Sequence, residues 1–273
     1  MKVKLAVVQP RTRLGPEEET NVKEAVRYIE AAARRGAHLV LFPETYPGPW
    51  TDRIRYDPLG PLAAQAKASG VWVVAGTSEP VPGSADGYYN VCLLIGSDGD
   101  LVGKYRRTSP PGPYIYKGGP FWDFNYTPAD DLPVFETPLG TIGILICSEV
   151  FVPELSRILA LKGAEIILLP TGRVVDFNEN WLTLVRARAV ENLAFTATGQ
   201  NLIGNEGMAM VASPERVLAE SKEEGILLAE LDLGRVRELR RLAPKISGSG
   251  QFKTIPGIAS FRRPEVFRKN APE

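Results

Sequence analysis

The sequence predicts an α/β protein built from two similar halves, and two observations favour this fold class. Residues 4–9 and 38–42 are apolar strands separated by a helical pattern over 15–34, a unit whose two strands should run parallel. The form G-A-x5-P-x then occurs twice, at 36–44 and at 163–171. The repeat indicates two strand–helix–strand halves, and hence two sheets packed as a sandwich.

The first half follows strand and helix patterns in order. The run KLAVVQ is a buried strand closed by Pro10, and Gly15-Pro16 opens a helix with apolar residues at helical spacing. Ser97-Asp98-Gly99-Asp100 is predicted to be a hairpin turn, with Gly99 where a positive φ is needed. The other elements predicted in this half are a helix over 62–69 and strands over 71–76, 88–95 and 101–105.

The second half begins with a strand over 141–146, which is β-branched or apolar almost throughout, as suits a strand buried on both faces. Cys147 sits where this strand ends, and a helix is predicted over 154–161. The other predicted elements are strands over 164–169, 195–200, 208–212, 217–220 and 226–231, and helices over 178–193 and 232–242. Residues 243–273 are interpreted as an arm of a single domain that spans 1–273.

The composition excludes several classes of function. Formal net charge is zero, from 32 basic and 32 acidic residues, so nothing steers the chain toward nucleic acid or an anionic membrane. No apolar run approaches the roughly 20 residues of a membrane span. Because Met1 leads straight into a strand, no signal peptide is expected. Two cysteines, Cys92 and Cys147, fit a reducing cytoplasm better than a disulfide framework.

The single histidine limits the chemistry further. His38 stands at the mouth of a strand and is interpreted as structural. One histidine and two cysteines cannot supply a typical zinc site, so no metal is expected. Since Ser-His-Asp and Cys-His sites need a histidine base, a nucleophilic Cys147 would need a carboxylate or a lysine instead.

Glu44 and Cys147 each follow a buried strand directly. Ligands of open α/β sheets bind outside the carboxyl ends of the strands, so a thiol there is a candidate nucleophile, the alternative being a small buried hydrophobe. We expect the two side chains to converge at the edge of one sheet. Glu44 would then accept the thiol proton, and the thiolate would attack a carbonyl or nitrile carbon. The backbone N–H of Ser148 and a nearby cation would stabilise the resulting anion.

Three segments carry a resemblance to a known family: LFPE at 41–44, GKYRR at 103–107 and GILICSEVFVPE at 143–154. In this order they resemble the signature segments of the nitrilase superfamily, the carbon–nitrogen hydrolases, and the similarity extends over nearly the whole chain. The resemblance implies a four-layer α-β-β-α sandwich, a Glu–Lys–Cys catalytic set, no cofactor and symmetric assembly through dimers.

Two members of that catalytic set carry over directly: Glu44 matches the general base and Cys147 the nucleophile. The third departs from the family pattern, because the usual Y-R-K reads Y-R-R here and Arg107 occupies the position of the lysine. Lys104 lies three residues earlier and is the less favoured cation, since residues three apart in a strand point to opposite faces. Arginine keeps the positive charge but does not give up a proton in practice.

The segment 106–131 has no clear periodicity, and a loop of this length is usually functional when it is ordered. Its aromatic residues Tyr114, Tyr116 and Trp122 are expected to line or cover the substrate pocket. The second glutamate that many family members carry in this loop is missing. Glu149, two residues after the candidate nucleophile, is expected to face the pocket or a partner helix.

Three functions stay open on these grounds. The favoured one is cysteine-dependent hydrolysis of a non-peptide C–N bond in a small amide or N-carbamoyl compound, through a thioester acyl-enzyme. The alternatives are a nitrilase and a weakly active or non-catalytic binding member, the latter because Arg107 replaces the lysine. We expect a cytoplasmic homodimer or higher homo-oligomer that acts on a small molecule, with no nucleic-acid or membrane partner.

Overall fold

A computed structural model describes residues 1–50, 56–85, 87–110, 126–174, 178–243 and 253–270, which contain two six-stranded sheets. The first sheet comprises β1 (Lys2–Gln9), β2 (Leu39–Leu41), β3 (Trp72–Pro80), β4 (Tyr88–Ile95), β5 (Leu101–Arg106) and β12 (Gly225–Asp232). The second comprises β6 (Val134–Thr137), β7 (Gly140–Ile144), β8 (Ile166–Thr171), β9 (Phe195–Gln200), β10 (Ala209–Ala212) and β11 (Val217–Ser221). The helices are α1 (Thr20–Arg34), α2 (Leu59–Ser69), α3 (Pro153–Leu161), α4 (Asn178–Asn192), α5 (Leu233–Arg241) and α6 (Pro264–Asn270).

The two sheets share one topology. The strand orders are β12-β1-β2-β3-β4-β5 and β11-β10-β9-β8-β7-β6. In each sheet three neighbouring strands are parallel, β1-β2-β3 and β7-β8-β9, and antiparallel strands flank them on both sides. The repeated segments at 36–44 and 163–171 enclose the middle strand of each parallel set, β2 and β8. The predicted relation between the two halves is therefore confirmed.

The alternation of side chains along β1 separates the layers. Val3, Leu5 and Val7 join the core between the sheets, whereas Ala6 and Val8 pack in the second core with Ala25 and Ile29 of α1. On the other side of the molecule, α3 and α4 bury Leu159, Trp181 and Val185 in the core of the second sheet. The four-layer α-β-β-α sandwich is thus confirmed.

Local details agree with the sequence in most places, although the bounds of several elements differ from the predicted ones. Gly99 has the expected positive φ, 88°, and Asp232 caps α5 through the backbone N–H of Arg235. Strand β2 is shorter than the predicted 38–42, strand β6 was not predicted, and α6 is an additional helix within the arm proposed for 243–273. Within the described ranges no helix has the length and apolar character to cross a membrane.

Candidate active site

Glu44, Arg107 and Cys147 meet between the strand ends of the two sheets. Oε1 of Glu44 accepts a hydrogen bond from Nη1 of Arg107 at 3.0 Å, and Nη2 of Arg107 donates to Oγ of Ser148 at 2.5 Å. The Cys147 thiol lies close enough to the Glu44 carboxylate that the negative charge of Glu44 adds to the effect of burial in raising the pKa of the thiol.

The two halves of this group come from different sheets. Glu44 follows β2 and Arg107 follows β5 in the first sheet, while Cys147 follows β7 in the second. The prediction that Glu44 and Cys147 converge at the edge of one sheet was therefore wrong. Glu44 and Cys147 do each follow a strand of a parallel set. The stacking of the two sheets, rather than the pairing of neighbouring strands within one sheet, brings their side chains together.

Several contacts fix the position of Glu44, which is only 7% exposed. Its backbone N–H donates to Thr171 O at 3.3 Å, and Nδ2 of Asn201 donates to its carbonyl oxygen at 2.9 Å. Nδ2 of Asn90 donates to Oε1 at 2.6 Å. A Cβ on Gly172 would lie 2.6 Å from Oε2, so the carboxylate occupies space that only a glycine leaves open.

Cys147 has a backbone conformation that is rare outside glycine. Its φ is 53°, in the left-handed region, and it begins the 3₁₀ turn Cys147–Phe151. Thr45, next to Glu44, has a φ of 52°. Such conformations cost about 1–3 kcal/mol each and persist where the surrounding structure fixes them. At Cys147 the turn directs a half-buried thiol away from the line of β7, toward the carboxylate.

The environment of Cys147 keeps its thiol protonated at rest. Burial raises the pKa of Cys147 to about 12, and the negative charge of Glu44 acts in the same direction. The Arg107 guanidinium and the backbone N–H of Gly172 oppose this rise in the pKa. Attack by the sulfur at neutral pH therefore requires transfer of its proton to a base, and Glu44 is the carboxylate in contact with it.

The second cysteine has a different setting. Cys92 is fully buried in β4, and burial raises its pKa well above the ordinary value. Fully buried, non-ionised thiols are inert, so Cys147 is the accessible sulfur.

Lys104 does not belong to the group around Cys147. Its Nζ lies 3.4 Å from Oε1 of Glu79, and the same carboxylate accepts two hydrogen bonds from Arg106. Both side chains lie on the face of β5 away from Glu44. Among the described residues, the cation bonded to the Glu44 carboxylate is therefore Arg107.

The expectation that Glu149 faces the pocket or a partner helix is not met. Glu149 is completely buried, and its carboxylate accepts hydrogen bonds from the segment 105–109 and from Ile146. Tyr114, Tyr116 and Trp122, the predicted pocket aromatics, lie outside the described residues. The backbone of Ser148 stays a predicted anion donor, and its hydroxyl is the atom in contact with Arg107.

Three residues near the group were missed from the sequence. Asn90 is a polar residue inside the predicted strand 88–95, and a polar residue in an otherwise apolar strand could have been recognised as a candidate site residue. Burial raises the pKa of the Tyr126 phenol, and the nearby charge of Glu44 acts in the same direction. Gly172 gave no signal, because the need for a glycine there depends on a carboxylate that arrives from the other sheet.

The described residues contain no group of three His, Cys, Asp or Glu side chains that could hold a metal ion. The single histidine has a structural contact, since Nδ1 of His38 accepts a hydrogen bond from the backbone N–H of Lys4 at 3.1 Å. The reactive groups brought together in this site are a carboxylate, a guanidinium and a thiol.

Comparison by sequence gives a family match and similar proteins over most of the chain. The sequence model of the family described as Carbon-nitrogen hydrolase matches residues 4–241. Omega-amidase NIT2-A of Xenopus laevis is 29% identical over 266 residues, covering 89% of this chain and 93% of that protein. A protein of Pyrococcus abyssi named nitrilase is 31% identical over 260 residues, covering 87% and 93%.

Comparison by structure gives the same architecture. A carbon-nitrogen hydrolase from Helicobacter pylori superposes with a TM-score of 0.82 at 21% identity, covering 100% of this chain and 99% of that one. An amidase from Nesterenkonia sp. AN1, with the acetamide moiety of fluoroacetamide added covalently at its active-site cysteine, gives 0.77 at 21% identity, covering 98% and 96%. At this level of identity the likeness shows a shared fold.

Proposed function

The chain belongs to the carbon–nitrogen hydrolase family, and we propose that it is an amidase that hydrolyses a small amide or N-carbamoyl compound through a thioester on Cys147. The observation that carries the proposal is the contact between a half-buried thiol, a carboxylate and a guanidinium, supplied by Cys147, Glu44 and Arg107. The amidases among the similar proteins support an amide as the substrate class.

In the first half of the proposed reaction, Glu44 takes the proton from Cys147 Sγ as the sulfur attacks the carbonyl carbon. An S–C bond forms, and the carbonyl π electrons move to oxygen. The backbone N–H of Ser148 and the positive charge of Arg107 stabilise that oxyanion. The C–N bond then breaks, the nitrogen leaves with the proton from Glu44, and a thioester remains.

In the second half, Glu44 takes a proton from a water molecule that attacks the thioester carbon. The second tetrahedral species collapses, the C–S bond breaks, and the sulfur recovers its proton. The balance is amide plus water giving acid plus amine, or ammonia when the amide is primary. Glu44 carries every proton, because a guanidinium does not give one up at physiological pH.

Two alternatives remain as outcomes of the experiment. The similarity to a protein named nitrilase keeps nitriles among the test compounds. Arg107, in the position of the family lysine, keeps open a member that binds substrate and turns it over weakly or not at all. Release of acid and ammonia from parallel panels of amides, N-carbamoyl compounds and nitriles distinguishes these three.

The decisive variant is Cys147→Ala. We expect it to lose turnover on every compound that the wild type hydrolyses, and to show no acyl adduct by intact-protein mass spectrometry. Cys92→Ala is the matched control and should keep both turnover and adduct, since Cys92 is enclosed in the core. Unchanged turnover in Cys147→Ala, or a wild type that hydrolyses no amide, contradicts the proposal.

A further inference from the structure

Glu149 is a fully buried carboxylate that the proposed chemistry does not use. Its Oε1 accepts hydrogen bonds at 2.9 Å from the backbone N–H groups of Thr108 and Ser109, and from the Thr108 hydroxyl. Its Oε2 accepts from the backbone N–H of Ile146 at 2.6 Å. The Tyr105 hydroxyl lies 2.8 Å from both oxygens. Every one of these donors belongs to a segment next to a proposed catalytic residue.

The donors flank the guanidinium and the thiol. Tyr105 and Thr108 lie on either side of Arg107, and Ile146 directly precedes Cys147. One carboxylate therefore ties the end of β5 in the first sheet to the end of β7 in the second. Hydrogen bonds to an ionised acceptor are strong and directional in a water-excluded interior. Loss of the acceptor would leave several buried donors without a partner, which is costly.

We infer that Glu149 is a positioning residue that holds Arg107 and Cys147 in register across the two sheets. The register matters because the guanidinium must reach two acceptors at once, one on each side of the site. Glu149 acts through these neighbours and does not touch the substrate. The kinetic consequence of this inference rests on the proposed function, whereas the geometric consequence can be measured without any substrate.

Two possible effects of neutralising Glu149 have opposite signs. Removal of a negative charge near the site would by itself favour the Cys147 thiolate, and so speed its alkylation. Release of Arg107 would withdraw positive charge from the thiolate, and so slow its alkylation. The direction of the change therefore separates a positioning role from a direct electrostatic one.

The test is the rate of alkylation of Cys147 by iodoacetamide, at fixed pH, in a double-mutant cycle with Glu149→Gln and Arg107→Ala. We expect Glu149→Gln to slow alkylation at least about fivefold, within the range for residues of one hydrogen-bond network. In the Arg107→Ala background the same change should have little further effect. Cys92 does not interfere, because it is fully buried.

Glu165→Gln is the matched control. Glu165 is also a buried carboxylate, it bonds Arg237 at 2.6 and 3.0 Å, and it precedes β8 at the end opposite the site. We expect this variant to lower thermal stability without changing the alkylation rate. A general loosening of the fold would affect both carboxylate variants alike.

A second variant covers the case in which Glu149→Gln does not fold. Tyr105→Phe with Thr108→Val removes two hydroxyl donors to Glu149 while keeping similar side-chain volumes, and should also slow alkylation, by a smaller factor.

The inference is overturned if Glu149→Gln speeds alkylation, or if it slows alkylation by the same factor with and without Arg107. With an amide substrate, kcat should fall and KM should change little. If Cys147→Ala retains amidase activity, the proposed function fails while the alkylation cycle still decides the role of Glu149.

Discussion

Arg107 is the cation of the candidate site, at a position where the sequence resemblance leads us to expect a lysine. Its side chain is 1% exposed, and its planar fork serves two acceptors, Glu44 Oε1 at 3.0 Å and Ser148 Oγ at 2.5 Å. An ammonium on a flexible stem keeps the charge but lacks the fixed fork. The site is thus arranged around the shape of the guanidinium as well as its charge.

We therefore predict that Arg107→Lys lowers kcat on the best amide by roughly tenfold to a hundredfold. This decrease in kcat is smaller than the one expected when an anion-stabilising donor is removed outright. Steady-state kinetics measures the change, and circular dichroism checks that the variant is folded. The control is Arg106→Lys on the adjacent residue, whose partner Glu79 lies away from the site. A gain of activity in Arg107→Lys over a nearly inert parent would support the binding-only alternative instead.

At the scale of elements, the end of β8 approaches the residues that follow β2. Gly172 comes directly after β8, and its missing Cβ leaves room for the Glu44 carboxylate. The backbone N–H of the same glycine acts to lower the pKa of the Cys147 thiol. This strand end therefore constrains the proposed base, Glu44, and the proposed nucleophile, Cys147, together.

We predict that Gly172→Ala reduces kcat/KM at least about tenfold and leaves the fold intact, because the added methyl displaces a carboxylate rather than a core side chain. Amide kinetics and the thermal midpoint, measured on the same preparations, separate a loss of catalytic efficiency from a loss of stability. Gly60→Ala in α2 is the control, since a Cβ there meets nothing within 4 Å. Full activity in Gly172→Ala would mean that the position of Glu44 is not critical.

The sequence predicted elements best where one segment carries its own signal. Strands β1 and β4 are long apolar runs, and the turn at Gly99 has its own residue pattern. Strand β6 was missed because it has four residues, all of them partly or fully exposed, at the edge of its sheet. Glu149 was misplaced because three of its partners, Tyr105, Thr108 and Ser109, lie 40 to 44 residues earlier, and spacing along the chain gives no sign of such contacts.

At the scale of the whole molecule, the repeat at 36–44 and 163–171 predicted two related halves, and the structure confirms this relation. The repeat does not specify how the halves stack. The grouping of Glu44, Arg107 and Cys147 depends on that stacking, since Glu44 and Arg107 follow strands of the first sheet and Cys147 follows a strand of the second. The identities of Glu44 and Cys147 and their convergence could therefore be proposed from strand ends, while the stacking of two sheets that brings them together could not.

One surface of the molecule is apolar and incompletely packed. Its exposed apolar residues are Ile158, Leu161, Phe261 and Phe267. A groove of about 580 Å³ lies between α3 and the segment 258–267. Helix α6 has seven residues and buries none of them, and a helix of that length is marginal without tertiary packing. A partner that covers α6 and α3 together would bury this surface.

We propose that the partner is a second copy of this chain. The groove carries both signs of charge, with Glu154 and Arg157 on α3 facing Arg262, so it can pair with itself about a twofold axis.

Light scattering after size exclusion should give twice the chain mass at micromolar concentration. Leu161→Glu should shift this mass toward the monomer, since it places a charge in the apolar patch. Val102→Glu, at a similarly exposed apolar residue of β5, should not. A monomeric wild type, or equal effects of the two variants, would show that this face does not mediate assembly.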